Sequence, residues 1–273
     1  DLKIFTRWIH LAVENFLSLF TDQHIFVSTG EKRRARVLKF LNETNSIVIH
    51  NGVDHKYIDS HCITRNKALE LSEIKNWGNN KILGTISRLS PEKGILSLLA
   101  AFSKAIKKIP ELRLLIIGGY PEEHKGYYLE IQKLIAQENL SNCVRILGYR
   151  QDTVKILRCV DFYISSSLSE GLPISLLEAL ASRIPTIATE IVGNKDILCN
   201  SVFGVLTKPD SSESLYKGIV TMVNLTNDEL NFISKNSYNR TKNHFSIIQM
   251  AAKTTLLYKQ TLKKMLEKRS DKR

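Results

Sequence analysis

The stretch SEGLPISLLE, residues 169–178, carries two carboxylates, Glu170 and Glu178, with seven residues between them. The apolar segment 162–165 before it predicts a strand, and residues 174–182, after a turn with glycine and proline, predict a helix. Backbone N–H groups at a helix start bind anions, and carboxylates accept hydrogen bonds from hydroxyl groups. The stretch therefore favours a ligand with both phosphate and hydroxyl groups, and a nucleotide sugar meets both needs.

Outward from this stretch, short apolar segments alternate with amphipathic ones. The predicted strands are residues 82–87, 112–117, 143–147, 162–165, 186–189 and 202–206. Strand–helix alternation with short connections is typical of a doubly wound, parallel α/β sheet with right-handed crossovers. Ligands of such sheets bind beyond the carboxyl ends of the strands. The segments that follow these strands therefore form the predicted site.

The residues at the predicted strand ends suit a phosphate ligand. Arg88 and Lys93 follow the first strand, Gly118-Gly119 the second, Tyr149 the third and Glu170 the fourth. An arginine can form two hydrogen bonds to phosphate oxygens, and a lysine adds a compact charge. We therefore expect one shared site at this edge of the sheet.

These segments also stand in the order found in one enzyme family. Residues 170–178 resemble the E-x7-E signature of retaining nucleotide-sugar glycosyltransferases of glycosyltransferase family four. Four further segments resemble motifs of that family: NGVD at 51–54, SRLSPEKG at 87–94, IIGG at 116–119 and VRILG at 144–148. Residues 191–194, IVGN, depart from the usual Gly-Gly, and Asp196 stands where glutamate is common.

The resemblance implies a GT-B-like architecture of Rossmann-like domains. Residues 1–50 would be the C-terminal part of a first, acceptor-side domain, so the chain is expected to be truncated at its N-terminus. Residues 51–245 would form the nucleotide-sugar donor domain. Residues 246–273 would be a helix that crosses back to the first domain and ends in a basic tail.

The resemblance also implies roles for single residues. Glu170, Arg88 and Lys93 would be catalytic, with the two cations stabilising the leaving diphosphate and Glu170 contacting hydroxyls of the donor sugar. Glu178 would bind the ribose. The full set implied to bind the nucleotide sugar is Arg88, Lys93, Gly118, Gly119, Tyr149, Glu170, Gly171, Leu172, Pro173 and Glu178. No metal and no cofactor is expected, and the donor would be a UDP-, GDP- or ADP-sugar.

The implied function is transfer of a glycosyl group, with retention of configuration, to a glycan or glycolipid acceptor, as in polysaccharide or lipopolysaccharide biosynthesis. Two alternatives stay open: a nucleotide-sugar-binding module that is inactive without a partner chain, and a nucleotide-sugar epimerase of the same fold. Detection of transferred sugar, of binding alone or of epimerised nucleotide sugar distinguishes the three.

Composition limits the partners. The formal net charge is +12, with basic clusters at 32–36 and 259–273, so an anionic membrane surface is a candidate partner. Nucleic acid is not expected, because no nucleic-acid-binding signature occurs. We expect a cytoplasmic protein at the inner membrane face. An apolar surface around Trp8, Phe16 and Phe20 predicts self-association or a partner chain.

Overall fold

The computed structural model describes residues 9, 12–37, 45–199 and 201–270, without the side chains of 268 and 269. Its main feature is a six-stranded sheet in which every neighbouring pair is parallel. The strands are β3 (Lys81–Ile86), β4 (Leu112–Ile117), β5 (Val144–Ile146), β6 (Phe162–Ser165), β7 (Thr186–Thr189) and β8 (Val205–Thr207). Their order across the sheet is β5-β4-β3-β6-β7-β8. The predicted α/β, Rossmann-like class is therefore confirmed.

The strand order of the sheet changes direction between β3 and β6. Strands β3, β4 and β5 extend to one side, and β6, β7 and β8 to the other. A crevice forms at such a reversal, beyond the carboxyl ends of the two central strands. The loops that follow β3 and β6 carry Lys93 and Glu170, so the topology brings these two predicted residues to the same crevice.

Helices cover both faces of the sheet because successive strand residues point to opposite faces. Ile82 belongs to one buried apolar cluster and its neighbour Leu83 to the other. The helices that contribute to the Leu83 cluster are Ile95–Ile106, Lys125–Gln137 and Ser212–Val223. Those that contribute to the Ile82 cluster include Arg65–Leu71, Thr153–Ile156, Ile174–Ala181 and Val192–Leu198.

The last strand begins later than the sequence predicts. The expected strand 202–206 is observed as Val205–Thr207. Cys199 ends the preceding helix with φ of 45°, and Ser201 has φ of 74°. Backbone in this left-handed region turns the chain. Residues 202–204 therefore belong to a turn, although the apolar Val202 and Phe203 had suggested a strand.

Two further strands precede the large sheet. β1 (His24–Phe26) and β2 (Ser46–Val48) pair in parallel, and the helix Thr29–Val37 lies between them in the sequence. The sequence pattern here predicts a strand at 24–28, a helix at 29–42 and a strand at 46–50, and residues 38–44 lie outside the described residues. Assignment of this part to a separate first domain stays a prediction.

Helical residues 12–18 precede β1 and present apolar side chains to solvent. Phe16 is 61% exposed and Phe20 is 73% exposed, and their rings contact each other edge to face. Trp8, the third member of the predicted apolar surface, lies outside the described residues. The exposure fits that surface, while self-association stays a prediction.

The segment at the start of the predicted donor domain is bonded to the segment at its end. Val53 forms a parallel bridge with Ser246. Its N–H donates to the carbonyl of Phe245 at 2.8 Å, and its carbonyl accepts from Ile247 at 3.1 Å. A Cβ on Gly52 would lie 2.5 Å from the Ile247 nitrogen, so only glycine allows this approach. The helix Ile247–Ser270 starts from this contact.

None of the helices in the described ranges is both long and apolar enough to cross a membrane.

Candidate functional site

Glu170 lies in the loop after β6, where its carboxylate is held by two donors. Lys93 Nζ lies 2.6 Å from Glu170 Oε1, and the Ser167 hydroxyl donates to the same oxygen at 2.8 Å. The side chains of Lys93 and Glu170 are only 14% and 17% exposed. A cation and a carboxylate that the sequence predicts as ligand-binding thus form one ion pair.

Buried polar groups fix the backbone of this loop from behind. The Thr189 hydroxyl, at the end of β7, donates to the Ser167 carbonyl at 2.5 Å. The Asn194 amide donates to the Thr189 carbonyl at 2.9 Å. All three residues are at least 97% buried. This chain of hydrogen bonds leads from the helix Val192–Leu198 to the Glu170 carboxylate.

The loop after β3 packs directly on the loop after β6. The Ser166 hydroxyl donates to the Lys93 carbonyl at 2.8 Å, and the Leu168 N–H donates to the Glu92 carbonyl at 2.8 Å. Gly94 has φ of 64°, and a Cβ there would lie 2.3 Å from the Ser166 carbonyl oxygen. The glycine therefore lets the two loops meet, and this contact brings Lys93 to Glu170.

Arg88 is the most accessible cation of this group. Its side chain is 69% exposed, and its guanidinium lies 3.6 Å from the Glu92 carboxylate. The Ser90 hydroxyl donates to Glu92 at 2.5 Å. That hydrogen bond is the main cause that holds the pKa of Glu92 below its ordinary value, with a smaller contribution from Arg88. Arg88 is therefore oriented by an ionised carboxylate while its charge stays open to solvent.

Gly118 and Gly119 form a narrow turn beside this loop. Gly118 has φ of 151°, and a Cβ on it would lie 1.8 Å from the Ser87 carbonyl oxygen. The Gly118 N–H donates to the Gly148 carbonyl, and the Leu89 N–H donates to the Gly119 carbonyl, both at 2.8 Å. The glycines thus set the path of the 87–94 loop.

The segment after β5 carries Tyr149, which the family resemblance implies to bind the nucleotide sugar, and Arg150 follows it. The Tyr149 ring is 78% exposed at this edge of the sheet. Arg150 donates two hydrogen bonds of 2.8 Å to the Asp152 carboxylate. That pairing raises the pKa of Arg150 and lowers the pKa of Asp152. Tyr149 therefore has a free face, whereas the charge of Arg150 is compensated.

Glu178, the second carboxylate of the stretch, differs from Glu170. It lies in the helix Ile174–Ala181, and burial raises the pKa of its carboxyl group. Within the residues that the structure describes, it has no hydrogen-bond or salt-bridge partner. Burial also raises the pKa of neighbouring Tyr163 to about 12, and the charges of Glu178 and Glu170 contribute to that increase. A half-buried carboxylate with free acceptor positions is suited to hydroxyl groups of a ligand.

A cleft of about 550 Å³ opens between the Glu170 loop and the segment that contains β1. Glu170 and Gly171 line one side, and Phe26, Glu31 and Arg34 line the other. A Cβ on Gly171 would lie 2.6 Å from the Glu31 carboxylate. Gly171 therefore allows the two parts of the chain to approach each other at the edge of the cleft.

The structure brings Lys93, Glu170 and Gly171 together, and it places Arg88 and the Gly118 turn at the same edge of the sheet. Leu172 and Pro173 lead into the helix: Leu172 is buried and accepts from Asn51 at 2.8 Å, and Pro173 precedes its first residue. These positions do not test the predicted binding roles. In the described part of the chain, no group of three or more His, Cys, Asp or Glu side chains could hold a metal.

Several residues that support the site through hydrogen bonds were not predicted from the sequence. Ser167, Thr189 and Asn194 support Glu170 through backbone and hydroxyl contacts. Asp196, treated in the sequence only as a departure from a motif, accepts from the Thr29 N–H at 2.6 Å and the Thr29 hydroxyl at 2.7 Å. An isolated Ser, Thr, Asn or Asp belongs to no sequence motif, so only the folded structure shows which residues these side chains contact.

The chain is similar in sequence to known glycosyltransferases. An uncharacterized glycosyltransferase of Methanocaldococcus jannaschii is 29% identical over 230 residues, which are 79% of this chain and 54% of that protein. A UDP-Gal:alpha-D-GlcNAc-diphosphoundecaprenol alpha-1,3-galactosyltransferase of Escherichia coli is 28% identical over 94% of this chain and 64% of its own length. The chain thus spans about half to two thirds of these relatives.

Solved structures show the same fold. A glycosyltransferase of Rickettsia africae superposes with a TM-score of 0.82 at 27% identity, over 89% of this chain and 64% of that one. An Anabaena protein solved in complex with UDP and glucose has a TM-score of 0.82 at 22% identity, over 91% of this chain and 66% of that one. The family described as glycosyl transferases group 1 matches residues 68–240, which is more than half of the chain. This protein belongs to the glycosyl transferases group 1 family.

Proposed function

We propose that this chain carries the nucleotide-sugar site of a retaining glycosyltransferase. The whole enzyme would transfer a hexose or N-acetylhexosamine to a glycan or lipid-linked acceptor. The observation that carries the proposal is the Lys93–Glu170 ion pair of 2.6 Å, which joins the loops after the two central strands. Membership of the family and the names of relatives support it, including a Campylobacter jejuni N-acetylgalactosaminyltransferase that is 26% identical.

The chemistry of these side chains fits this reaction. Departure of a nucleoside diphosphate leaves negative charge on the phosphate oxygens, and fixed cations stabilise that charge. Arg88, with an exposed guanidinium, would bind those oxygens, and Lys93 would contribute a second charge. Glu170 would accept hydrogen bonds from the donor sugar while Lys93 and Ser167 hold its carboxylate in place. Glu178, with free acceptor positions, would bind the ribose hydroxyls.

The acceptor and the setting belong to the same proposal. Two relatives name a lipid-linked diphosphoundecaprenol acceptor. We propose an acceptor of this general class, retention of anomeric configuration, and action at the cytoplasmic face of a membrane. The resemblance of residues 170–178 to the E-x7-E signature supports retention. The predicted donor domain of residues 51–245 and the crossing helix of 246–273 are part of the proposal.

Calorimetric titration of the 273-residue chain with UDP-, GDP- and ADP-sugars tests the donor site. One nucleotide should bind saturably, and Lys93→Ala should weaken it at least tenfold. Lys133→Ala, a change of an exposed lysine on the helix Lys125–Gln137, should leave the affinity within twofold. Equal affinity in the Lys93 variant and the unaltered chain would overturn the proposed site.

A transfer assay separates the open alternatives. The same nucleotide sugar is incubated with the chain, with and without a lipid-linked acceptor, and the products are analysed by nuclear magnetic resonance. An α-linked product from an α-linked donor supports retention. Binding without transfer supports the donor-side module. Epimerised nucleotide sugar without acceptor would replace the transferase proposal with the epimerase.

A further inference from the structure

A second cavity, of about 660 Å³, adjoins the cleft beside Glu170, which we call the donor cleft. The contact between Gly30 and Val192 separates the two. Val192 lines both cavities. The walls of the second cavity are the start of the helix Thr29–Val37, the helix Val192–Leu198 and the C-terminal segment 240–253. Its volume is in the range of small-ligand pockets.

The lining of this cavity is strongly cationic. Arg33, Lys195, Arg240 and Lys253 contribute four positive charges, and Asp196 contributes the single carboxylate. Asp196 accepts two hydrogen bonds from Thr29, both at Oδ2, and its one negative charge offsets only one of the four positive charges. The balance of charge on the walls is therefore clearly positive.

The four cations differ in their partners. Lys195 pairs with Glu190 at 2.8 Å. Arg240 donates only to neutral carbonyls, those of Ile197 at 2.7 Å and Asp196 at 2.6 Å, so its charge is not compensated by an acid.

The other two cations, Arg33 and Lys253, have no hydrogen-bond or salt-bridge partner among the residues that the structure describes. Arg33 belongs to the segment with β1, and Lys253 belongs to the last helix. Three uncompensated positive charges therefore converge from three elements. Such charges repel one another across a shared cavity, and a bound anion removes that repulsion.

The other polar lining residues indicate which class of ligand the cavity would bind. His50, Asn243, His244 and Gln249 supply hydrogen-bonding groups beside the cations. Arginine and lysine together suit phosphate oxygens, and amide side chains suit hydroxyl groups. The cavity also has room for more than a bare inorganic ion.

We propose that this cavity is a second anion site, which binds a phosphate group attached to a small hydroxyl-bearing moiety. A free sugar phosphate and a phospholipid headgroup share this chemistry. The site is separate from the donor site and does not depend on the proposed transferase function.

Titration calorimetry at low ionic strength tests the site, with inorganic phosphate and glycerol 3-phosphate as probes. The double variant Arg33→Gln/Lys253→Gln should lose at least tenfold in affinity for glycerol 3-phosphate. The charge-conserving variant Arg33→Lys/Lys253→Arg should stay within threefold of the unaltered chain. Lys259→Gln, on the last helix but outside the cavity, is the matched control and should have no effect.

The donor site also contains cations, so Lys93→Ala separates the two sites. Retained binding in Lys93→Ala with loss in the double glutamine variant supports the cavity. Loss in Lys93→Ala alone, or equal affinity in the double variant and the unaltered chain, would overturn it. Circular dichroism melting curves establish that the variants are folded.

Vesicle sedimentation distinguishes the two sources of phosphate. The chain is mixed with vesicles of phosphatidylcholine, with or without phosphatidylglycerol. Binding that needs phosphatidylglycerol and is lost in the double glutamine variant identifies a headgroup site. Binding of glycerol 3-phosphate without vesicle binding identifies a soluble ligand. Absence of both interactions in the unaltered chain contradicts the proposal.

Discussion

Lys93 Nζ lies 2.6 Å from Glu170 Oε1, although the two residues are 77 positions apart in the chain. Both side chains are largely buried, so water reaches each charge only in part. Removal of one partner from a buried ion pair leaves the other uncompensated. A ligand that binds here must therefore replace or extend this interaction.

The pair predicts strong coupling between the two residues. Lys93→Ala should weaken nucleoside-diphosphate binding by about 1.5–3 kcal/mol, the usual range for a hydrogen bond to a charged group. In the free chain, Lys93→Ala and Glu170→Gln should each lower stability, and the double variant should cost less than the sum of the two. A double-mutant cycle in urea measures this coupling. Additive losses would show that the ion pair contributes nothing.

Arg88 should behave differently from Lys93, because its side chain is 69% exposed and its partner Glu92 is at the surface. Arg88→Ala should leave the free energy of unfolding within about 0.5 kcal/mol, as is usual for surface changes. It should still weaken nucleotide binding by about 1.5–3 kcal/mol if its guanidinium binds phosphate. Calorimetry with UDP and a urea melt give the two values. An unchanged affinity would remove Arg88 from the phosphate site.

Glu178 should be a residue whose ionised form costs stability. Burial raises its pKa, so the folded chain holds the proton more tightly than the unfolded chain. The stability that this group contributes is present below its ordinary value of 4.5 and is lost as pH rises through the folded pKa. Glu178→Gln should therefore raise the melting temperature near neutral pH, and this gain should disappear below pH 4.5. A lower melting temperature at neutral pH would contradict this account.

Glu178 and Glu170 should affect the affinities of UDP and UDP-glucose differently. Glu178→Gln should weaken bare UDP and UDP-glucose alike, because both carry the ribose. Glu170→Gln should spare UDP and weaken UDP-glucose, because it is proposed to contact the sugar. Calorimetry with the two ligands gives the four affinities, and Glu130→Gln on an exposed helix face serves as the control. The opposite pattern would exchange the two roles.

Gly118 should tolerate no side chain. Its φ of 151° and the 1.8 Å approach of the Ser87 carbonyl to a Cβ predict that Gly118→Ala lowers stability by about 3 kcal/mol. Gly126→Ala is the matched control, because no atom lies within 4 Å of its Cβ position. In the first turn of a helix, that change should be neutral or stabilising by about 0.5 kcal/mol. Urea melts of both variants measure the difference, and similar values would contradict the strained turn.

The sequence predicted the sheet well because its strands are largely apolar and mostly buried. In β4 and β6 all residues but one are buried, and such runs stand out between polar connections. The predicted boundaries of both strands agree with the structure. The start of β8 was wrong because the turn that delays it depends on the left-handed backbone at Ser201, which serine does not signal.

The candidate site could be predicted only in part. Strand order places the loops after β3 and β6 side by side, and this is enough to bring Lys93 and Glu170 near each other. Their direct ion pair depends on the close contact between Gly94 and Ser166. The support of Glu170 by Thr189 and Asn194 runs through backbone carbonyls, which every residue has, so no residue pattern marks it.

The bridge between Val53 and Ser246 has a consequence for engineering. Because the chain enters and leaves the predicted donor domain at one point, that domain has neighbouring ends, as is common in domains that accept transplantation or circular permutation. We expect that residues 51–246 can be exchanged as a cassette between related enzymes, with the junction at this bridge setting the splice points.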